Sequence, residues 1–489
     1  MRTLLLGLLP LACTVSSAAP SNGKVESKKI ATTATAPIIE NGTGCGQQMA
    51  DGRAMPKGRP GVARSRDMDE AGDAEDAPAV TRGAMPPPPP APTKSAAVGG
   101  GAATGAKADA KVASSSPAPM QQPSGVRAGE WDDNANYRDY VKWLAASPIK
   151  GKLDIRQRQF LVVTDKAGKP MPNCSITISD GNQKSASLVT MASGRALLFP
   201  QVFGLSGQLT ATASCNGTTA TAKLDAKTLD GVAKLELGTQ RALPAKRTVE
   251  LAFVLDTTGS MSEEIDAVKQ TIRAVSEQLS TAQTDVRIGL VEYKDRSDCL
   301  LTRTFPFSSD LPAFGKSVAA ISADGGGDFP EDMHAGLSAA LDKLQWRSDS
   351  AARMIVVIAD APPQFYAQSK DYTDAAKRAA QKGIKLYTVA ASGMDNLGQV
   401  VMRQMAQFTG ASNLFVLRGG AGPQSVGGGD PKSSCGGTHQ DYSSGKLDQL
   451  IMRKVRQELA SLDADPMKIP GRGQDENAKP CEQRLVVAN

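Results

Sequence analysis

Three stretches of this chain carry oxygen-bearing side chains at spacings that suit a hard cation. Asp256, Thr258 and Ser260 alternate at i, i+2 and i+4, so that one carboxylate and two hydroxyls are presented together on one loop. Asp328 follows the run Gly325-Gly326-Gly327, and Asp360 follows the apolar run Met354–Ala359. Mg²⁺ and Ca²⁺ take such oxygen donors, and Ca²⁺ tolerates the larger number of carboxylates. Nitrogen and sulfur donors are poorly supplied. His334 and His439 are the only histidines, and no cysteines form a C-x-x-C pair, which argues against a zinc site or a histidine-based triad. Metal-assisted hydrolysis also needs a dedicated base, and no second cluster of His or Glu offers one. The chemistry is that of a non-enzymatic cation site.

The elements around these residues are those of an α/β fold. Val249–Leu255 is an uninterrupted apolar run and reads as a buried parallel strand. Ile265, Val268, Ile272, Val275 and Leu279 follow on one helical face. A second strand covers Val286–Tyr293, and Leu337, Ala340, Leu341 and Leu344 mark a second helix. Further strands at Ile384–Ala390 and Asn413–Leu417 alternate with helices near Tyr372–Lys382 and Leu397–Phe408. A glycine-rich insertion, Gly419–Gly437, then precedes a last helix at Leu447–Leu459. This alternation predicts a doubly wound sheet, with the three loops at the carboxyl ends of strands where such sheets bind ligands.

In order and spacing, D-T-T-G-S, G-G-G-D-F-P-E and I-A-D resemble the three loops of the metal-ion-dependent adhesion site of von Willebrand factor type A domains. The resemblance covers residues 247–463 and implies a Rossmann-like fold. Thr258 stands where that family's first serine usually lies, and Asp328 takes the place of its threonine. The phrase G-G-G-D-x-P-E resembles a subgroup found in bacterial proteins and in α-kinase-linked and hemicentin-type A domains. The family resemblance implies Mg²⁺ or Ca²⁺ at Asp256, Thr258, Ser260, Asp328 and Asp360, and a protein or cell-surface ligand bound through the ion. A third carboxylate implies tighter cation binding and a weaker pull on an anionic partner group. Asp328 and Glu331 have an alternative role as caps of the following helix. The implied function is extracytoplasmic binding or adhesion. The alternatives are an assembly subunit of a cell-envelope complex and, less in keeping with the residues, a metal-dependent hydrolase.

The rest of the chain fits a multidomain exported protein of 489 residues. Met1-Arg2, the apolar Leu4–Leu11 and small residues to Ala19 read as a signal peptide over 1–18. Two processing routes fit: ordinary cleavage near Ser16-Ser17-Ala18, or a lipobox ending Leu11-Ala12-Cys13, with lipidated Cys13 as a membrane tether. The mature chain is then periplasmic, an outer-membrane lipoprotein or secreted. Setting Cys13 aside leaves six cysteines, and Cys174–Cys215 is the leading pair because both lie in one small β region. Cys299–Cys435 and Cys45–Cys481 would then follow, and the spacing itself leaves the connectivity open. Residues 19–127 read as a low-complexity, disordered stalk and 128–149 as a short helical segment in which Trp131 and Trp143 pack on a neighbouring domain. Short β-prone runs over 150–242 predict an antiparallel β-sandwich, which resembles carboxypeptidase-regulatory-like and collagen-adhesin B-type repeats. Residues 464–489 read as a tail. A net charge of +6 without basic–aromatic interleaving, and only 4% aromatic residues, leave nucleic-acid binding without support.

Overall fold

The computed structural model describes residues 36–45, 126–279, 284–327, 329–391, 393–417 and 443–472. Two short strands come first, β1 (Ile38–Asn41) and β2 (Arg127–Trp131), followed by helix α1 (Tyr137–Ala146). A β module follows: β3 (Gln159–Thr164), β4 (Ser175–Asp180), β5 (Ser185–Val189), β6 (Arg195–Leu198), β7 (Gln208–Cys215), β8 (Thr218–Asp225) and β9 (Gly231–Glu236). The α/β part contains β10 (Arg247–Asp256), α2 (Ile265–Leu279), β11 (Thr284–Tyr293), β12 (Leu300–Ser308), α3 (Leu311–Ala319) and α4 (Met333–Asp342). It continues with β13 (Ala352–Ala359), α5 (Tyr372–Gln381), β14 (Lys385–Ala390), α6 (Asn396–Phe408), β15 (Asn413–Leu417), β16 (Ser443–Lys446) and α7 (Leu447–Ser461).

One nine-stranded sheet runs β1-β12-β11-β10-β13-β14-β15-β2-β16. Its middle six strands have the doubly wound order, with the chain reversing direction of travel between β10 and β13. Strand β10 is apolar on both faces because helices cover both. Leu251, Phe253 and Leu255 meet Val268, Ile272 and Val275 of α2 and Ile451 of α7. Ala252 and Val254 meet Met333 and Leu337 of α4. Each such buried side chain contributes on the order of 1.5–3 kcal/mol, so the site loops rise from a well-anchored frame.

Two strands of this sheet lie where the sequence does not lead one to look. β1 falls inside the stretch read as a stalk, and pairs antiparallel with β12 from Ile38↔Thr304 to Asn41↔Leu300. β2 opens the segment read as helical, and lies antiparallel between β15 and β16. Side-chain burial explains β2: Trp131 packs against Phe415, the rings tilted by 35° with centroids 4.3 Å apart, as expected of a packing tryptophan.

The β module has a three-stranded sheet, β6-β3-β9, and a four-stranded one, β5-β4-β7-β8. All pairings are antiparallel except β3 with β9, which is parallel and departs from the expected all-antiparallel sandwich. β3 is buried along its whole length because it serves two cores. Leu161 and Val163 face the inside of the module, whereas Phe160 and Val162 join a core that contains Met405 and Phe408 of α6. At this joint Arg403 is buried against Asp133, at 2.6 and 2.8 Å, with its guanidinium 3.9 Å from the Trp143 ring centroid. The first residues of the expected tail also dock here, since Arg158 donates to Gly471 O at 3.1 Å and Arg195 to Pro466 O at 3.0 Å.

The disulfides are Cys174–Cys215, as expected, and Cys45–Cys299. The second replaces both expected bridges to Cys435 and Cys481. Pairing of β1 with β12 delivers Cys45 to Cys299, which the one-dimensional spacing of cysteines does not show. Cys435 and Cys481 lie outside the described residues, as do the expected leader, Cys13 and the glycine-rich insertion. No helix among the described residues is long and apolar enough to cross a membrane.

Candidate metal centre

Asp256 is the last residue of β10, and Asp360 is the first after β13. These strands are parallel neighbours with Leu255 opposite Ile358, so the register alone brings the two carboxylates to one point of the sheet edge. That point is the reversal of strand order, where doubly wound sheets open a crevice.

Hydrogen bonds connect the expected donors in series. Thr258 donates to Asp256 Oδ1 through its N–H at 3.0 Å and its hydroxyl at 2.7 Å. Its Oγ lies 3.3 Å from Ser260 Oγ, and Ser260 Oγ donates to Asp360 Oδ1 at 3.0 Å. Tyr293, opposite Asp256 in the β10–β11 register, donates its hydroxyl to Asp256 Oδ2 at 3.3 Å. Asp256 and Thr258 are buried, whereas Ser260 is exposed at the rim.

The electrostatics are those of two acids short of positive charge. Burial pushes the Asp256 carboxyl up to about 6, against the hydrogen bonds from Thr258 and Tyr293 and the charge of Lys294. Burial and then the charge of Asp256 push Asp360 up to about 7. Burial and the neighbouring carboxylates Asp256, Glu331 and Asp360 push the Tyr293 hydroxyl well above its usual range. Lys294 is committed elsewhere, donating to Thr257 O at 2.8 Å and pairing with Asp324.

The second loop clasps the first. Gly259 N–H donates to Gly325 O at 3.0 Å and Asp324 N–H to Thr257 O at 3.1 Å. Gly326 adopts φ +73°, and a Cβ there would lie 2.9 Å from Glu331 Oε1 and 3.1 Å from Thr258 Cβ. Only glycine fits that left-handed, crowded position without strain.

Asp328 lies outside the described residues. Neither acid considered as a helix cap is the one observed: Asp332 caps α4, accepting from Ala335 N–H at 3.0 Å. Glu331 is instead buried beside Gly326 and Tyr293, and its backbone is stitched to the third loop. Its N–H donates to Pro362 O at 3.1 Å, and its carbonyl accepts from Gln364 N–H at 2.8 Å. Sequence reasoning passed over Glu331 as a site residue. Its place just before Asp332, the residue that caps the helix, keeps it outside.

Among the described residues no three His, Cys, Asp or Glu side chains stand close enough to hold a metal by themselves. What converges is two carboxylates and two hydroxyls. This all-oxygen set fits a hard cation with waters completing its shell. A divalent ion would also relieve the charge deficit of the buried acid pair.

A von Willebrand factor type A domain is present at residues 250–418. Alpha-protein kinase vwkA of Dictyostelium discoideum is 36% identical over 128 residues, which is 25% of this chain and 20% of that protein. Von Willebrand factor A domain-containing protein 7 of Rattus norvegicus is 37% identical over 128 residues, 26% of this chain and 13% of that protein. The chain therefore spans a fifth or less of the length of these relatives. Proximal thread matrix protein 1 of the mussel byssus aligns in structure with a TM-score of 0.25 at 12% identity, covering 31% of this chain and 37% of that one. Domains of this type commonly serve adhesion or protein interaction, and the two disulfides suit an extracellular or exported protein.

Proposed function

We propose that this chain is a non-enzymatic, extracytoplasmic binding protein that engages a protein or surface ligand through a divalent cation. Asp256, Thr258, Ser260 and Asp360 would hold the ion, Mg²⁺ or Ca²⁺, with Asp328 contributing from the second loop. When bound, the cation supplies a positive centre for an oxygen ligand of the partner. The chain's own residues bind and orient it. Tyr293 and Thr258 keep the Asp256 oxygens in place, and Ser260 presents its hydroxyl to solvent beside Asp360. The observation that carries this reading is the Asp256–Thr258–Ser260–Asp360 relay at the reversal of strand order.

Thermal-shift titration with Mg²⁺ and with Ca²⁺ tests it. The wild type should gain stability with cation concentration as RT ln(1 + [L]/Kd), and Asp256→Ala should lose that gain while remaining folded. An equal metal-induced shift in both proteins would place the cation elsewhere. Capture of a partner from a surface extract with and without chelator then tests the ligand half of the proposal.

A further inference from the structure

The first cation loop is supported by the second, the second by residues 295–299, and these by the segment that follows β1. Gly42 N–H donates to Cys299 O at 3.0 Å, Thr43 N–H to Arg296 O at 2.8 Å, and Gly44 N–H to Asp298 O at 3.3 Å. The Thr43 hydroxyl donates to the same Arg296 carbonyl at 2.9 Å. The two backbones lie in direct apposition. A Cβ on Gly42 would sit 2.3 Å from Asp298 O, and one on Gly44 2.2 Å from Ser297 O. The Cys45–Cys299 disulfide closes this layer.

Residues 295–299 pass the restraint onward. Both carboxylate oxygens of Asp298 accept from Gly326 N–H at 3.1 Å. Arg296 pairs at 2.7 Å with Asp332, the cap of α4. Asp295 accepts from the Ser297 hydroxyl at 2.9 Å and from the Tyr366 hydroxyl. Gly326 rests on Thr258, and Gly325 O receives Gly259 N–H. An unbroken run of contacts thus joins Cys45 to the cation-facing hydroxyls.

We propose that residues 38–45 are a latch on the cation centre, and that the Cys45–Cys299 disulfide raises cation affinity by holding residues 295–299 against Gly326. The proposal rests on the cation reading above. Both cysteines are half-buried and within reach of a dithiol. Reduction is a two-electron exchange. A dithiol thiolate attacks one sulfur, the S–S bond breaks, and the resulting mixed disulfide is resolved by the second dithiol sulfur. The reductant leaves as a cyclic disulfide, and Cys45 and Cys299 end as thiols carrying its two protons. The latch is then held by one four-residue strand, a few backbone hydrogen bonds, the Thr43 hydroxyl, and the contacts of Glu40 with Thr302 and Lys343. Segments held so sparsely open locally at low free-energy cost.

The test compares the full chain, its Cys45→Ser/Cys299→Ser variant and a Cys174→Ser/Cys215→Ser control, each titrated with Ca²⁺ and with Mg²⁺ alone by calorimetry. Opening the latch should raise the cation Kd about fivefold or more, and the control should match the wild type. Hydrogen exchange should quicken in peptides spanning 295–299 and 324–327 of the latch variant. Should that variant fold poorly, dithiol treatment of the control replaces it, since Cys45–Cys299 is then its remaining described disulfide. An unchanged Kd with unchanged exchange at Gly326 overturns the latch alone. No cation response in the wild type overturns the cation reading and the latch with it.

Discussion

Replacing Asp360 by asparagine should stabilise the metal-free protein at alkaline pH. In the folded chain Asp256 and Asp360 titrate near 6 and 7, against 3.8 for a free aspartate. Between these limits the native state binds more protons than the unfolded one, so stability falls as pH rises and levels off above about 7. One pKa unit corresponds to about 1.4 kcal/mol, so ionised Asp360 costs roughly 4 kcal/mol of folding stability at pH 8. Part of that cost is repulsion by Asp256, and the two acids titrate as a pair. Asp360→Asn retains an oxygen to accept from Ser260 and removes the charge. Calorimetric or urea unfolding in chelator should show the variant more stable by roughly 2–4 kcal/mol at pH 8, a Tm rise of about 5 °C for a unit of this size. The advantage should shrink toward pH 4, where the wild-type acids are protonated. Saturating Ca²⁺ should reverse the order, because the wild type alone gains binding free energy. A variant no more stable than the wild type at pH 8 without metal, or an advantage independent of pH, would refute the reasoning.

Gly326→Ala should destabilise the fold by about 1–2 kcal/mol and weaken cation binding, since its Cβ would press on Glu331 and Thr258 at positive φ; denaturant unfolding and cation titration read the two effects. Glu331→Gln should leave the fold intact but shift the cation Kd, and an unchanged Kd would mean that the buried carboxylate serves loop packing alone. Arg403→Met should cost about 3–5 kcal/mol, because it leaves Asp133 buried without its partner; limited proteolysis should then release the β module from the α/β domain.

The parts of this structure that rest on neighbours in sequence were legible in it. Asp256 and Asp360 each end an apolar strand, and the doubly wound order makes those strands adjacent, so their meeting follows from local pattern plus topology. The helix of Tyr137 and Tyr140 and the packing of Trp131 were readable for the same reason. β1 was not: Ile38–Asn41 is a four-residue run in a polar, small-residue stretch, and its partner β12 lies some 260 positions away. Cys45–Cys299 inherits that opacity, since six cysteines allow 15 pairings and the deciding contact is the strand. Glu331 was obscured by a plausible alternative, because an acid before an apolar helical run resembles a cap until Asp332 is seen to fill that place.

The Cys45–Cys299 bridge also sets the route of mechanical tension. A pull applied through residues before 36 enters the sheet at β1, an edge strand whose ladder hydrogen bonds could unzip one at a time. The covalent link at Cys45 stops that unzipping and diverts the load into Cys299, four residues beyond Asp295 and on the same loop as Asp298. The 79 residues between Cys45 and Gly125, and the segments that follow them up to β12, then lie off the shortest covalent path from Cys45 to Cys299 while the bridge is intact. Traction from the amino-terminal side is thus delivered at the β1–β12 edge of the sheet, beside the loop that carries Gly325 and Gly326.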